Sequence, residues 1–378
     1  MQPVFDGHND VLFRLWNHAA SGADPVAEFV GGAAQAGFEG EEAGHIDMAR
    51  ARAGGLAGGL CAIYISSGGR LQFDEPDETG RYHTPLAAPL ERQASLDTAL
   101  GIAAMALRIE RAGGWAICRD SDDIASAMAA GKFAAVLHME GCEALDGDLT
   151  ALEVFYAAGL RSLGPVWSRN NIFGHGVPFA FPMSPDAGPG LTEAGRRLVR
   201  ECNRMGILVD LSHITEKGFW DVAELSDQPL VASHSNVHAI TPAARNLTDR
   251  QLDAVRESRG LVGLNFAVGL LRPDGRENTD TPITAMIRHI DYMVERMGID
   301  CVALGSDFDG APIPAEIGDA AGLQKLVAGL RNAGYGDDNL DKICRGNWLR
   351  VIATAWHETT ENKIKTTRSQ HKREPAKC

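Results

Sequence analysis

A chain of 378 residues with 44% hydrophobic and 23% charged side chains has the make-up of a soluble globular protein, long enough for two ordinary domains or one large α/β barrel. Its formal net charge of −14, with no basic stripe before residue 359, excludes an extended nucleic-acid surface but not small anionic substrates. The seven cysteines are scattered without C-x-x-C spacing and read as reduced thiols of a cytoplasmic protein, and no apolar run is long enough to span a bilayer.

In chain order, Val4 and Phe5 predict a short buried strand, and Gly7 lets the backbone turn at its end. His8 and Asp10 are two apart, so on an extended backbone they share one face. An imidazole beside a carboxylate there is a plausible pair of metal ligands; an Asx-type turn next to a surface histidine accounts for the same residues equally well. With a strand this early, no basic-then-apolar leader is expected. The Gly/Ala/Glu-rich excursion to about Arg50 is too irregular for a continuous helix. Its second H-x-D, His45-Ile46-Asp47, runs into Met48-Ala49-Arg50, so Asp47 reads as a helix N-cap and not as a ligand.

Residues 58–65 predict a second strand, 66–89 a Pro/Gly-rich loop, and 90–113 a helix apolar at Leu96, Leu100, Ala103, Ala104 and Leu107. A short helix near 121–130 precedes a third strand, 134–141, and helix 149–158 precedes a fourth, 161–167. The loop 168–190, carrying Pro178, Pro182, Pro185 and Pro189, is long enough to form a lid or a wall. Helices 191–205, 215–225, 248–258 and 282–297 lead in turn to strands 207–213, 230–234, 260–266 and 301–307. Helices at about 319–333 and 338–356 complete a single domain, 1–358, and the polar basic segment 359–378 reads as a disordered tail. Eight apolar strands alternating with helices, without a G-x-G-x-x-G turn, predict a (β/α)8 TIM barrel with extra C-terminal helices.

The polar residues fall at the strand ends. His8 and Asp10 end the first strand, Glu140 the third, His213 the fifth, His234 the sixth and Asp307 the eighth. In a barrel these ends meet at one rim, where active sites of the fold sit. So many imidazoles and carboxylates in one place destabilise a fold unless metal or mutual pairing offsets their burial. They also exceed what one four-coordinate metal takes from protein. The economical arrangement is two metals sharing a carboxylate: His8, Asp10 and Glu140 on one, Glu140, His213 and His234 on the other. Asp307 is then left for proton transfer. Two metals about 3.5 Å apart can hold a bridging hydroxide and polarise a carbonyl. The donor mixture suits Zn2+ best, with Mn2+, Co2+ and Fe2+ not excluded.

The motifs Asp6-Gly7-His8-Asn9-Asp10, Met139-Glu140-Gly141, Asp210-Leu211-Ser212-His213, Ser233-His234-Ser235 and Gly305-Ser306-Asp307-Phe308-Asp309-Gly310 together resemble the renal (membrane) dipeptidases and their bacterial homologues. The resemblance runs from the first strand to about Trp356. It implies a (β/α)8 barrel with a binuclear zinc site that cleaves dipeptides. It also implies that Glu140 is the bridging glutamate, Asp307 the acid/base and Arg245 the residue that holds the substrate carboxylate. The planar fork of an arginine suits that last task on chemical grounds alone; a solvated residue before helix 248–258 is the alternative.

Two departures matter. Neither the signal peptide nor the lipid-anchor tail of the mammalian members is expected, so no membrane attachment is expected, and a homodimer stays open. The family's substrate-binding histidine after strand four falls on Trp167. His175, flanked by glycines on the same loop, is the nearest replacement as a donor to the oxyanion; packing within the loop is the other reading. Asp309 reads as a turn-capping carboxylate outside the site. Besides dipeptide hydrolysis, an N-acyl amino acid, lactam or phosphoester hydrolase and a catalytically silent metal-binding protein are compatible with these residues.

Overall fold

Two curved parallel sheets, flanked by helices, form the scaffold of the computed structural model, which describes residues 1–20, 22, 24–31, 44–68 and 76–356. The larger sheet contains β1 (Val4–Asn9), β2 (Leu56–Tyr64), β4 (Trp115–Ile117), β5 (Phe133–Glu140), β6 (Leu160–Gly164) and β8 (Leu208–Val209), numbered along the chain. Their order is β1-β2-β5-β6-β8, with β4 beside the start of β5. The smaller sheet consists of β9 (Val231–Ala232), β10 (Leu261–Leu264) and β11 (Val302–Leu304), with β10 in the middle. Single bridges link the two sheets at both seams, Asp210 with Val231 and Asn9 with Phe308. At the first seam Leu211 N–H donates to Val231 O (2.8 Å); at the second, Asp10 N–H donates to Phe308 O (2.8 Å) and Asp307 N–H to His8 O (3.0 Å). The whole is a curled parallel sheet.

The strands are buried on both faces, as parallel strands under helices must be, and their alternate residues serve two cores. Val4, Cys61, Ile63, Leu137, Met139, Val209, Val262 and Val302 pack outward against the helices. Phe5, Leu60, Val136, Leu208, Val231, Leu261 and Ala303 pack together on the concave side around Trp348, whose indole N–H donates to Leu304 O at 2.9 Å. That inward parity is the one that carries His138 and Glu140 in β5, and Asp210 just beyond β8.

Several sequence expectations change. The stretch expected to be irregular after β1 opens with helices Val11–Ala19 and Pro25–Gly31. The first buries Val11, Leu12 and Leu15, but Asp10 at its N-cap makes no side-chain capping bond, so the usual start signal is missing. Strands β8 and β9 keep only two residues each of the longer apolar runs. An additional strand, β4, pairs with β5 through Trp115, Ala116 and Ile117. The last helix is interrupted by a wider π-type stretch, Lys342–Gly346. Loops 66–89 and 168–190 meet in a short antiparallel pair, β3 (Tyr82–Thr84) with β7 (Phe179–Phe181). Asp47 does cap its helix, accepting from Arg50 N–H at 2.8 Å. Among the described residues no helix is long and apolar enough to cross a membrane, and the six described cysteines are buried and free. The expected tail, 359–378, lies outside the described residues.

Candidate metal centre

The strand ends bring together the residues singled out from the sequence. His8 Nε2 lies 3.3 Å from Asp10 Oδ2 and 3.6 Å from Glu140 Oε2. The other oxygen of Glu140, Oε1, lies 3.1 Å from His213 Nε2 and 3.5 Å from His234 Nε2. Glu140 thus divides its carboxylate between two clusters, and both have ligand spacing: His8, Asp10, Glu140 and Glu140, His213, His234. A third grouping of the same kind joins Asp307 to His8 and His234. The histidines face one another closely, with His8 stacked on His234 at 3.8 Å between centroids and Nε2 of His213 3.0 Å from Nε2 of His234.

Hydrogen bonding fits these groups for cations. His8 is fully buried, yet neither ring nitrogen has a hydrogen-bond partner, and the buried Oδ1 of Asp10 has none either. Orphaned buried polar atoms are costly and rare, and imidazole with carboxylate is the donor set of a borderline divalent ion such as zinc. Behind the other two rings stand serines: Ser168 Oγ lies 2.8 Å from His213 Nδ1 and Ser233 Oγ 2.8 Å from His234 Nδ1. Burial drives both imidazoles well below their ordinary value, helped by the positive charges of His8 and Arg245. His8 goes the other way: burial alone would lower it, but Glu140 and Asp10 outweigh that and raise it to about 10. Glu140 is pushed well above the usual carboxylate range by burial, with His8 opposing.

Around this centre sit groups that could handle a substrate. Asp307 adopts a left-handed backbone, φ 59°, unusual for a residue with a side chain, and its Oδ2 accepts from Asn265 Nδ2 at 2.9 Å. Arg245 is buried, donating from Nη2 to His234 O (3.1 Å) and from Nη1 to Ser235 Oγ (3.4 Å), with Nε unsatisfied. Gly310 closes the floor beside the carboxylates: a Cβ there would lie 2.2 Å from Asp10 Oδ2 and 2.5 Å from Asp307 Oδ1. Trp167 stands beside the His213 ring (5.7 Å) and continues through Phe179 and Tyr64 into an aromatic wall.

His175 is not among the clustered residues; its Nδ1 lies 2.9 Å from Gly190 O, within its own loop. Asp309 also stays outside, paired with Arg14 Nε (3.1 Å) and accepting from His45 N–H (2.6 Å). The sequence reading assigned no role to Ser168, Ser233, Asp210 or Asn265. For Asp210 and Ser233 a signal existed, since each lies within a motif that ends in or contains a clustered histidine. Ser168 and Asn265 carried none.

The sequence pattern of the family described as Membrane dipeptidase (Peptidase family M19) matches residues 1–368. An uncharacterized protein from the pqqA 5′ region of Klebsiella pneumoniae is 50% identical over 247 residues, 65% of this chain and 91% of the relative. Two solved structures are 47% identical, each with a TM-score of 0.86 and covering 94% of this chain and 99% of their own. One is dipeptidase AC, a metallopeptidase of family M19. The other is a metallopeptidase from Rhodobacter sphaeroides liganded with a phosphinate mimic of the dipeptide L-Ala-D-Ala.

Proposed function

The chain belongs to the membrane dipeptidase family, peptidase family M19, and from that premise we propose a zinc-dependent dipeptidase whose eight parallel strands close as a (β/α)8 barrel, with the site at the rim. The observation that carries this reading is the division of Glu140 between two ligand clusters. His8, Asp10 and Glu140 would hold one ion, and Glu140, His213 and His234 the other. A pair of divalent ions supplies Lewis acidity toward a carbonyl oxygen and lowers the pKa of water.

The side chains do the rest. Asp307 takes the proton released in the attack and returns it to the departing amine; Asn265, on its Oδ2, keeps the other oxygen turned to the substrate. Arg245 receives the substrate's free carboxylate. A buried guanidinium with an unsatisfied Nε and no carboxylate partner among the described residues is an expensive arrangement that an anionic ligand relieves. The Trp167–Phe179–Tyr64 wall keeps water from that side of the reacting bond. The ligand of the Rhodobacter sphaeroides relative mimics an L-D dipeptide, so L-D dipeptides are the first substrates to try. The six cysteines among the described residues, all buried and free, support a reducing, cytoplasmic setting.

The test is metal analysis of purified protein together with amino-acid release from a panel of L-L and L-D dipeptides. Two metals per chain and hydrolysis of free dipeptides are expected. Fewer than two after reconstitution overturns the paired-ion reading; no hydrolysis of any member overturns the activity.

A further inference from the structure

We propose that Asp210 is a positioning residue for His234: acting through the Ser233 hydroxyl, it holds the ring proton on Nδ1 and leaves the Nε2 lone pair facing the centre. The inference rests on His234 being a metal ligand, as proposed above.

The argument is a count of protons. Ser233 has one hydroxyl hydrogen and three polar neighbours for its Oγ: Asp210 Oδ2 at 2.6 Å, His234 Nδ1 at 2.8 Å and, farther off at 3.4 Å, the Ser212 hydroxyl. A carboxylate only accepts, so the hydrogen goes to Asp210. The serine oxygen must then accept from the ring, which requires a proton on Nδ1 and none on Nε2. The carboxylate cannot turn away, because its Oδ1 takes Ser233 N–H (2.7 Å) and Ser212 N–H (3.1 Å). Ser212 Oγ in turn accepts from His234 N–H at 3.1 Å. The set is buried, Asp210 being 1% exposed and Ser233 and His234 fully covered, so water does not compete. The other polar neighbour of Oδ2, His138 Nε2, is 3.7 Å away, beyond hydrogen-bond length. His213 lacks this arrangement: the serine on its Nδ1, Ser168, has no carboxylate behind it among the described residues.

Asp210→Asn reverses the relay without changing the shape. The amide oxygen keeps the two backbone donors, so the NH2 is directed at Ser233 Oγ. The serine hydroxyl must then donate to Nδ1, and the ring proton moves to Nε2. Zinc affinity, measured by competition with a chromophoric chelator, is expected to fall by about 10–100-fold for one equivalent and to stay unchanged for the other. Ser233→Ala, which leaves both tautomers open, should give a smaller loss in the same equivalent. The double variant Asp210→Asn/Ser233→Ala should bind that equivalent better than Asp210→Asn alone, because the amide has lost its lever. A merely structural role for Asp210 makes the double variant as weak as the single or weaker, and that result overturns the proposal. If Asp210→Asn does not fold, unchanged affinity in Ser233→Ala overturns it instead. His234→Ala separates the two readings: retention of both equivalents there means the ligand assignment has failed, not the relay.

Discussion

On one side of Glu140, His213 and His234 turn Nε2 inward, and each rests its Nδ1 2.8 Å from a serine hydroxyl. On the other side, His8 has no hydrogen bond at either nitrogen and Asp10 leaves a buried oxygen unpaired. The first half is finished by protein, its rings oriented before any ion arrives. The second half is held mainly by charge, with His8 raised to about 10 chiefly because Glu140 and Asp10 overcome its burial. On the paired-ion proposal, pre-organisation on one side and electrostatic compensation on the other predict that the two ions are held with different tenacity.

Glu140→Gln strikes both halves at once, because a neutral amide cannot bridge. We expect metal content to fall for both equivalents and dipeptide hydrolysis to be lost; retention of one full equivalent would mean that the halves do not share this carboxylate. Asp307→Asn spares both halves: metal analysis should show the full complement while kcat drops by roughly 10²–10⁴-fold, the usual worth of a general acid–base. Loss of metal in that variant would make Asp307 a ligand, as its grouping with His8 and His234 allows. For Arg245→Met the expected loss with free dipeptides is about tenfold to a hundredfold, from a charged hydrogen bond worth about 1.5–3 kcal/mol. C-terminally amidated dipeptides should show little change, and equal losses on both would leave the arginine a structural role.

The comparison itself is tested by chelation. Wild-type protein should release its ions in two phases; His8→Ala should keep the slow one and His213→Ala the fast one. The reverse assignment would show that serine-held rings do not bind more firmly. The smallest effect is expected from His175→Ala. With its Nδ1 against Gly190 O, turnover should stay close to wild type, whereas losing an oxyanion donor costs roughly 10²–10³-fold.

Much of the centre could be read from the sequence because the clustered residues are chemically odd for their positions. An H-x-D, a lone Glu and two histidines at the ends of apolar runs have no use in a parallel sheet. Their partners were hidden for the opposite reason, since a serine or asparagine near a turn is ordinary. Ser168 reaches His213 from 45 residues away and Asn265 reaches Asp307 from 42, and no local pattern encodes either. The strand lengths were overread at Ile207–His213 because hydrophobicity continues after pairing stops. Beyond Val209 the backbone donors of Ser212 and Ser233 go to the Asp210 side chain instead of to a full ladder. The helix at Val11 was overlooked for a related cause: its N-cap carboxylate faces the centre and caps nothing.

The floor glycine has a bearing on how sequences of this kind are sorted. Since a methyl group at position 310 would collide with Asp10 and Asp307, a homologue can retain every ligand and still be a decoy if that codon has drifted to alanine. A search for working enzymes by their histidines and carboxylates alone would count such decoys as active. Conversely, Gly310→Ala is expected to give an inactive control that keeps every one of these residues in the sequence while displacing the carboxylates of Asp10 and Asp307.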